Sequence, residues 1–155
     1  MQYDCSQITE RLWCGANVQD ANDVAQLKAI GVTHVIDCNT DDEIPLFPPQ
    51  AGIILLSDPT QDDGTTKGAD WFGPGVGFGV RMLSQPGNVV LTHCAAGVNR
   101  GPSMAYAIMR AQGLKRSIAL SMLTLNRPVC RDGIRYRNDA ENALLALGWI
   151  KAIET

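Results

Sequence analysis

Two apolar stretches on either side of a short loop of small residues constrain this chain more than any other feature. Residues 89–92 read Val-Val-Leu-Thr, an apolar run that suits a buried strand. Residues 102–112 carry Met104, Ala105, Ala107, Ile108, Met109 and Ala111, so the helix they form is apolar nearly all round and belongs in the centre of the molecule. Pro102 suits its first turn and Gly113 its stop. A buried strand that feeds a buried helix needs further strands and helices around it, and the rest of the chain supplies them.

Residues 8–15 alternate apolar and polar up to Gly15, as a short strand or hairpin does. Val24, Leu27 and Ile30 recur at helical spacing, with Asp20 or Asn22 as N-cap and Gly31 as the stop. Residues 32–36 read as a strand that ends in a polar run. Pro45, Pro48 and Pro49 mark a loop. Residues 53–56, Ile-Ile-Leu-Leu, suit a strand buried on both faces. Residues 57–69 are polar and turn-rich. Residues 70–83 follow a helical apolar pattern despite Gly73, Gly75, Gly77 and Gly79. Helices are expected over 117–125 and from Asn138, where Glu141 three residues on completes a capping box. Strands alternating with helices predict a single α/β domain over residues 1–155, with a central, mainly parallel sheet flanked by helices.

Thirteen basic against sixteen acidic residues give a net charge of −3, which argues against a broad nucleic-acid surface or a polybasic membrane anchor. No apolar run is long enough to span a bilayer, and the opening residues lack a signal-peptide pattern. The five cysteines (5, 14, 38, 94 and 130) include no pair spaced for zinc. A cytoplasmic protein with reduced thiols, and with no metal or other cofactor, is the expectation.

The chemistry lies in His93-Cys94-Ala95-Ala96-Gly97-Val98-Asn99-Arg100-Gly101, between the buried strand and the buried helix. Ligands of α/β proteins bind at the carboxyl edge of the sheet, which is where this order of elements puts the loop. Backbone N–H groups curling into a helix N-terminus form an anion cradle, reinforced by the helix dipole. Gly97 and the small Ala95 and Ala96 let the backbone close around a tetrahedral phosphoryl group. Arg100 can grip two of its oxygens, and a cysteine at the base of the loop sees a field that favours thiolate.

At these residues the chain resembles the cysteine-dependent protein tyrosine phosphatases, and within them the dual-specificity phosphatases. His93, Cys94 and Arg100 match the His-Cys-x5-Arg signature, and Ala96-Gly97 the frequent Ala-Gly of the dual-specificity loop. Residues 8–15 are similar to that family's opening strand pair, and residues 31–36 to its next strand. The resemblance implies a mixed sheet with helices on both sides. It also implies a phosphomonoester hydrolase in which Cys94 attacks phosphorus and becomes phosphocysteine, Arg100 and the loop amides hold the equatorial oxygens, and His93 orients the loop. An aspartic acid about thirty residues upstream protonates the leaving group and then activates water. Asp58, Asp62 and Asp63 precede Cys94 by 36, 32 and 31 residues. Asp63 is the expected acid, because Asp63-Gly64 resembles the Asp-Gly of the phosphatases of regenerating liver. Asp58, directly after a strand, and Asp62 are the alternates.

The family usually has Ser or Thr after the arginine, where the hydroxyl helps sulfur leave; Gly101 stands there, which implies slow phosphocysteine breakdown. By the same resemblance Cys38, at a strand end beside the loop, is either a buried structural thiol or a redox partner of Cys94. Arg127, Arg131, Arg135 and Arg137 read as a solvated basic loop or as an attractor of anionic substrate. Trp71 and Trp149 are expected in or near the core, and His34 is expected to be structural. A phosphorylated protein is the expected substrate. The alternatives are a phosphate-binding module with slow turnover, a sulfurtransferase, and an RNA 5′-phosphatase or a lipid phosphatase of the same superfamily. Ala95, Ala96, Val98 and Asn99 put no Lys or His between Cys94 and Arg100, which disfavours the lipid reading.

Overall fold

The computed structural model describes residues 1–40 and 52–155. The loop expected from Pro45, Pro48 and Pro49 lies outside the described residues. Five strands form one sheet: β1 (Cys5–Gln7), β2 (Leu12–Gly15), β3 (His34–Asp37), β4 (Ile54–Ser57) and β5 (Val90–His93). Their spatial order is β1-β2-β5-β3-β4, with β1 antiparallel to β2 and the other neighbours parallel. The mainly parallel sheet is thus as expected, with a hairpin closing one edge.

Helix α1 (Ala21–Ala29) covers one face of the sheet, where Val24 and Leu27 pack with Val35 and Leu91. Asp20 caps it by accepting from Asp23 N at 2.9 Å, and Gly31, at φ +91°, lets the chain leave it. The other face carries α2 (Ala69–Leu83), α3 (Arg100–Ala111), α4 (Arg116–Asn126) and α5 (Arg137–Leu147). Helix α3 is the central one, with Met104 to Met109 fully enclosed. It starts two residues earlier than Pro102 predicts, and Ser103 N closes its first turn on Asn99 O at 2.8 Å. Pro102 lies within the first turn, where a missing N–H costs no helical bond.

The glycines of α2 fall into two sets. A Cβ on Gly75 would strike the Met104 side chain and the Asp58 carboxylate, and one on Gly79 would strike Ile108. These two glycines let α2 lie directly on α3. Gly73 and Gly77 have ordinary space around them.

Three expectations need correction. Among the described residues the apolar strand β4 is an edge strand, hydrogen-bonded to β3 alone, and Ile54 is 58% exposed. An Ile-Ile-Leu-Leu run records apolar character but not the number of neighbours a strand has. No capping box opens α5: Asn138 is inside the helix and accepts from Arg116 Nη2, while Glu141 points inward. Glu141 is 1% exposed and receives Arg110 Nε at 2.8 Å, Arg110 Nη2 at 2.9 Å and Tyr106 OH at 2.7 Å, which joins α3 to α5. Burial alone would raise its pKa, but the Arg110 guanidinium and its other donors hold it below the usual carboxylate range. Trp149 is 37% exposed at the surface, whereas Trp71 is in the core. Among the described residues no helix is long and apolar enough to cross a membrane.

Candidate active site

Strand β5 lies between β2 and β3, so the 93–101 loop leaves the middle of the sheet at its carboxyl edge. Cys94 is nearly enclosed, and its N–H points to Gly15 O at 3.4 Å. The next three carbonyls are all drawn to the outside of the loop. Ala95 O accepts from Asn17 N at 3.0 Å, Ala96 O from Arg127 Nη2 at 3.3 Å, and Gly97 O from Arg127 Nε at 2.7 Å. Because a peptide unit is planar, fixing its carbonyl on the outer side turns its N–H toward the centre. Gly97 makes the bend with φ +67°, and a Cβ there would collide with the Arg127 guanidinium and the Gly15 carbonyl.

Arg100 is the first residue of α3 and is buried. Its Nη1 donates to Thr60 O at 2.9 Å and lies 3.5 Å from Cys38 O, which ties it to the segment after β4. His93 is fully buried, with Nε2 3.4 Å from Asp37 Oδ1, and its carbonyl accepts from Cys38 N at 2.9 Å. Cys38 lies one step beyond the paired Asp37 and His93, beside Cys94. It is a buried, free thiol; burial pushes its pKa up strongly, and nearby Cys94 adds to that. A Cβ on Gly101 would lie 3.2 Å from His93 Cα and 3.4 Å from Cys14 Sγ, so even a small side chain is tight there. Val98 completes the loop, and Gly133 approaches it so closely that a Cβ on Gly133 would strike Val98 O.

The three candidate aspartates have very different surroundings. Asp58 is buried beneath α2 beside Met104, and burial raises its carboxyl to about 7, partly offset by the Gly75 N–H. Asp62 accepts from Asn99 Nδ2 at 2.6 Å and Tyr136 OH at 3.2 Å, which clasps its segment to the loop. Asp63 is at the surface. It accepts from Lys67 Nζ at 2.9 Å, Thr65 Oγ1 at 2.7 Å and Thr65 N at 3.0 Å, and these donors hold its carboxyl well below the usual range.

The basic run resolves into separate roles. Arg131 and Arg135 are exposed, and Arg135 N donates to Asn99 Oδ1 at 2.6 Å. Arg127 is not solvated: it is 2% exposed and lies under the loop. No spacing or composition signal marks Asn17 or Tyr136, and the basic run around Arg127 does not reveal its buried role, because the partners that define these positions lie 30 or more residues away in the chain. Ile134, buried at φ +58°, is the one described non-glycine in left-handed backbone, and it sits where the 131–136 segment turns past Asn99.

The family of the dual specificity phosphatase catalytic domain matches residues 12–139. Dual specificity protein phosphatase 26 of mouse is 31% identical over 110 residues, which cover 68% of this chain and 52% of that protein. The chain therefore spans about half the length of the curated relatives it matches. Its fold is shared by human DUSP28, with a TM-score of 0.77 at 21% identity over 96% of this chain and 97% of that one. The human tyrosine phosphatase-like serine/threonine/tyrosine-interacting protein also has a TM-score of 0.77, at 19% identity over 96% of this chain and 100% of that one.

Proposed function

Because this chain belongs to the dual specificity phosphatase family, we propose that it hydrolyses phosphomonoesters on proteins, at tyrosine and at serine or threonine, through a phosphocysteine intermediate. The observation that carries this reading is the loop itself, with Cys94 at its base, its carbonyls held outward and Arg100 at the start of α3. In the first step Cys94 Sγ forms a bond to phosphorus as the bond to the leaving oxygen breaks. Loop amides and Arg100 stabilise the charge on the equatorial oxygens. In the second step water attacks phosphorus and the sulfur departs as thiolate, releasing inorganic phosphate. No step needs a metal.

Asp63 supplies the proton to the leaving oxygen and takes one from the water. Asp58 is enclosed under α2, while Asp62 and Asp63 are both exposed, Asp62 bonded to Asn99 and Tyr136 and Asp63 to Lys67 and Thr65; the Asp63-Gly64 pair, which matches the family pattern, is what favours Asp63. A substrate dianion beside it raises its pKa toward the protonated state an acid requires. Gly101 provides no hydroxyl to the departing sulfur, so breakdown of phosphocysteine limits turnover.

The test is phosphate release from an aryl phosphate and a phosphotyrosine peptide, with EDTA throughout. Cys94→Ser is expected to abolish release. Asp63→Ala is expected to slow it most on poor leaving groups, while Asp58→Asn retains it. Wild type is expected to show a burst followed by a slow steady state. Release that chelation abolishes, or that survives Cys94→Ser, would overturn the proposal.

A further inference from the structure

Resting on the phosphatase reading above, we infer that Arg127 is a positioning residue that sets the anion affinity of the active-site loop from behind. It touches neither substrate nor the reacting atoms. Its guanidinium is 2% exposed and divides its donors between two parts of the molecule. On the loop side Nε donates to Gly97 O at 2.7 Å and Nη2 to Ala96 O at 3.3 Å. On the far side Nη1 and Nη2 each meet one carboxylate oxygen of Asp4 at 3.0 Å, and Nη1 also donates to Ser6 Oγ at 3.1 Å. The planar, rigid fork of arginine suits this task, since its geometry sets the angle between the two parts; a lysine ammonium has no such fork.

Carbonyl oxygens facing into an anion cradle repel the anion as strongly as amides attract it. Arg127 takes the oxygens of Ala96 and Gly97 to the outer side, so the following N–H groups face inward before any phosphate arrives. Its charge partly neutralises the carbonyl ends it binds. Gly97 is required by the same contact, because a Cβ there would occupy the place of the guanidinium. The Asp4 carboxylate, which is itself largely exposed, fixes Arg127 from the far side through the bidentate pair.

The experiment measures inhibition by orthovanadate and by inorganic phosphate, with thermal unfolding recorded on the same samples. Arg127→Lys is expected to weaken binding of both anions by about tenfold or more while the protein stays folded at the assay temperature. Arg127→Ala is expected to lose more, and low, non-denaturing guanidinium is expected to restore part of it. Asp4→Asn is expected to fall between wild type and Arg127→Lys. In the kinetics KM rises and kcat falls together. Unchanged anion affinity in Arg127→Lys, with only a lower melting temperature, would show a purely structural brace and overturn the inference. Loss in Arg127→Ala that guanidinium does not restore, in a folded protein, would also overturn it. If wild type itself binds neither anion, the failure belongs to the phosphatase reading instead.

Discussion

Replacing Asp58 by Asn separates folding from chemistry in the segment that follows β4. The buried carboxyl titrates near 7, against about 3.8 for an ordinary aspartate. Below the lower value, both the folded and unfolded states carry the proton. Between the two values the unfolded chain ionises while the folded one does not, so the folded state binds more protons and stability falls as pH rises. Above about 7 the penalty is complete. At about 1.4 kcal/mol for each pH unit, the gap corresponds to a ceiling of ~4 kcal/mol. Asn keeps the shape and the bond from Gly75, but places two N–H donors beside Met104, at a cost of about 1 kcal/mol. The net expectation is a variant more stable than wild type by about 3 kcal/mol at pH 8 and about equal to it near pH 4. Urea unfolding at a series of pH values reads this directly. The difference between the two proteins cancels every other titrating group. Parallel stability profiles from pH 4 to pH 8 would refute the reasoning. Phosphate release on the same samples completes the test, because Asp58→Asn removes one of the two alternate acids.

Other substitutions report on other parts of the fold. Glu141→Gln leaves buried Arg110 with the partly exposed Glu154, 3.0 Å from its Nη1, as its remaining carboxylate, and is expected to cost about 2 kcal/mol in urea unfolding, wherever the assay pH keeps Glu141 ionised. Gly75→Ala and Gly79→Ala, which collide with Met104 and Ile108, are expected to lower the melting temperature. Gly77→Ala, with only Arg81 nearby at 3.5 Å, is expected to stabilise by about 1 kcal/mol, which calorimetry separates from the other two. If Cys38 is the redox partner of Cys94, hydrogen peroxide is expected to oxidise Cys94 to sulfenic acid, which the Cys38 thiol attacks with loss of water to form a disulfide. Inactivation that dithiothreitol reverses in wild type is expected to become irreversible in Cys38→Ser; equal recovery in both would exclude the pairing.

What could be read from the sequence was whatever depends on neighbours along the chain. The central helix, the loop before it and the hairpin edge follow from short-range periodicity and from residues that favour turns. The α2 glycines were visible as a conflict with helix propensity, and the structure resolves it, since two of the four stand where α3 leaves no room for a side chain. Sheet order is a long-range property, and so the edge position of β4 was not legible in its apolar run. Glu141 shows the same limit: three residues after Asn138 it fits a capping pattern, yet a buried arginine 31 positions earlier binds it more strongly than a helix end would. For the aspartates, spacing to Cys94 narrowed the choice to three. Only their surroundings distinguish an enclosed carboxyl, a clasp and a surface group. Arg127 was hidden for a further reason, since nothing in an Arg-Pro turn signals that its guanidinium faces inward.

The link between Asp4 and Arg127 joins positions 123 residues apart, and this has a consequence for biosynthesis. The contact cannot form until residue 127 has been made and the opening hairpin has met the end of α4. Long loops of this kind close late and slowly. A nascent or truncated chain that stops short of residue 127 therefore carries the Cys94 thiol without the brace that shapes its anion site. The anion affinity that Arg127 confers therefore arrives only with this long-range contact, later than the strand, loop and helix that carry Cys94 and Arg100.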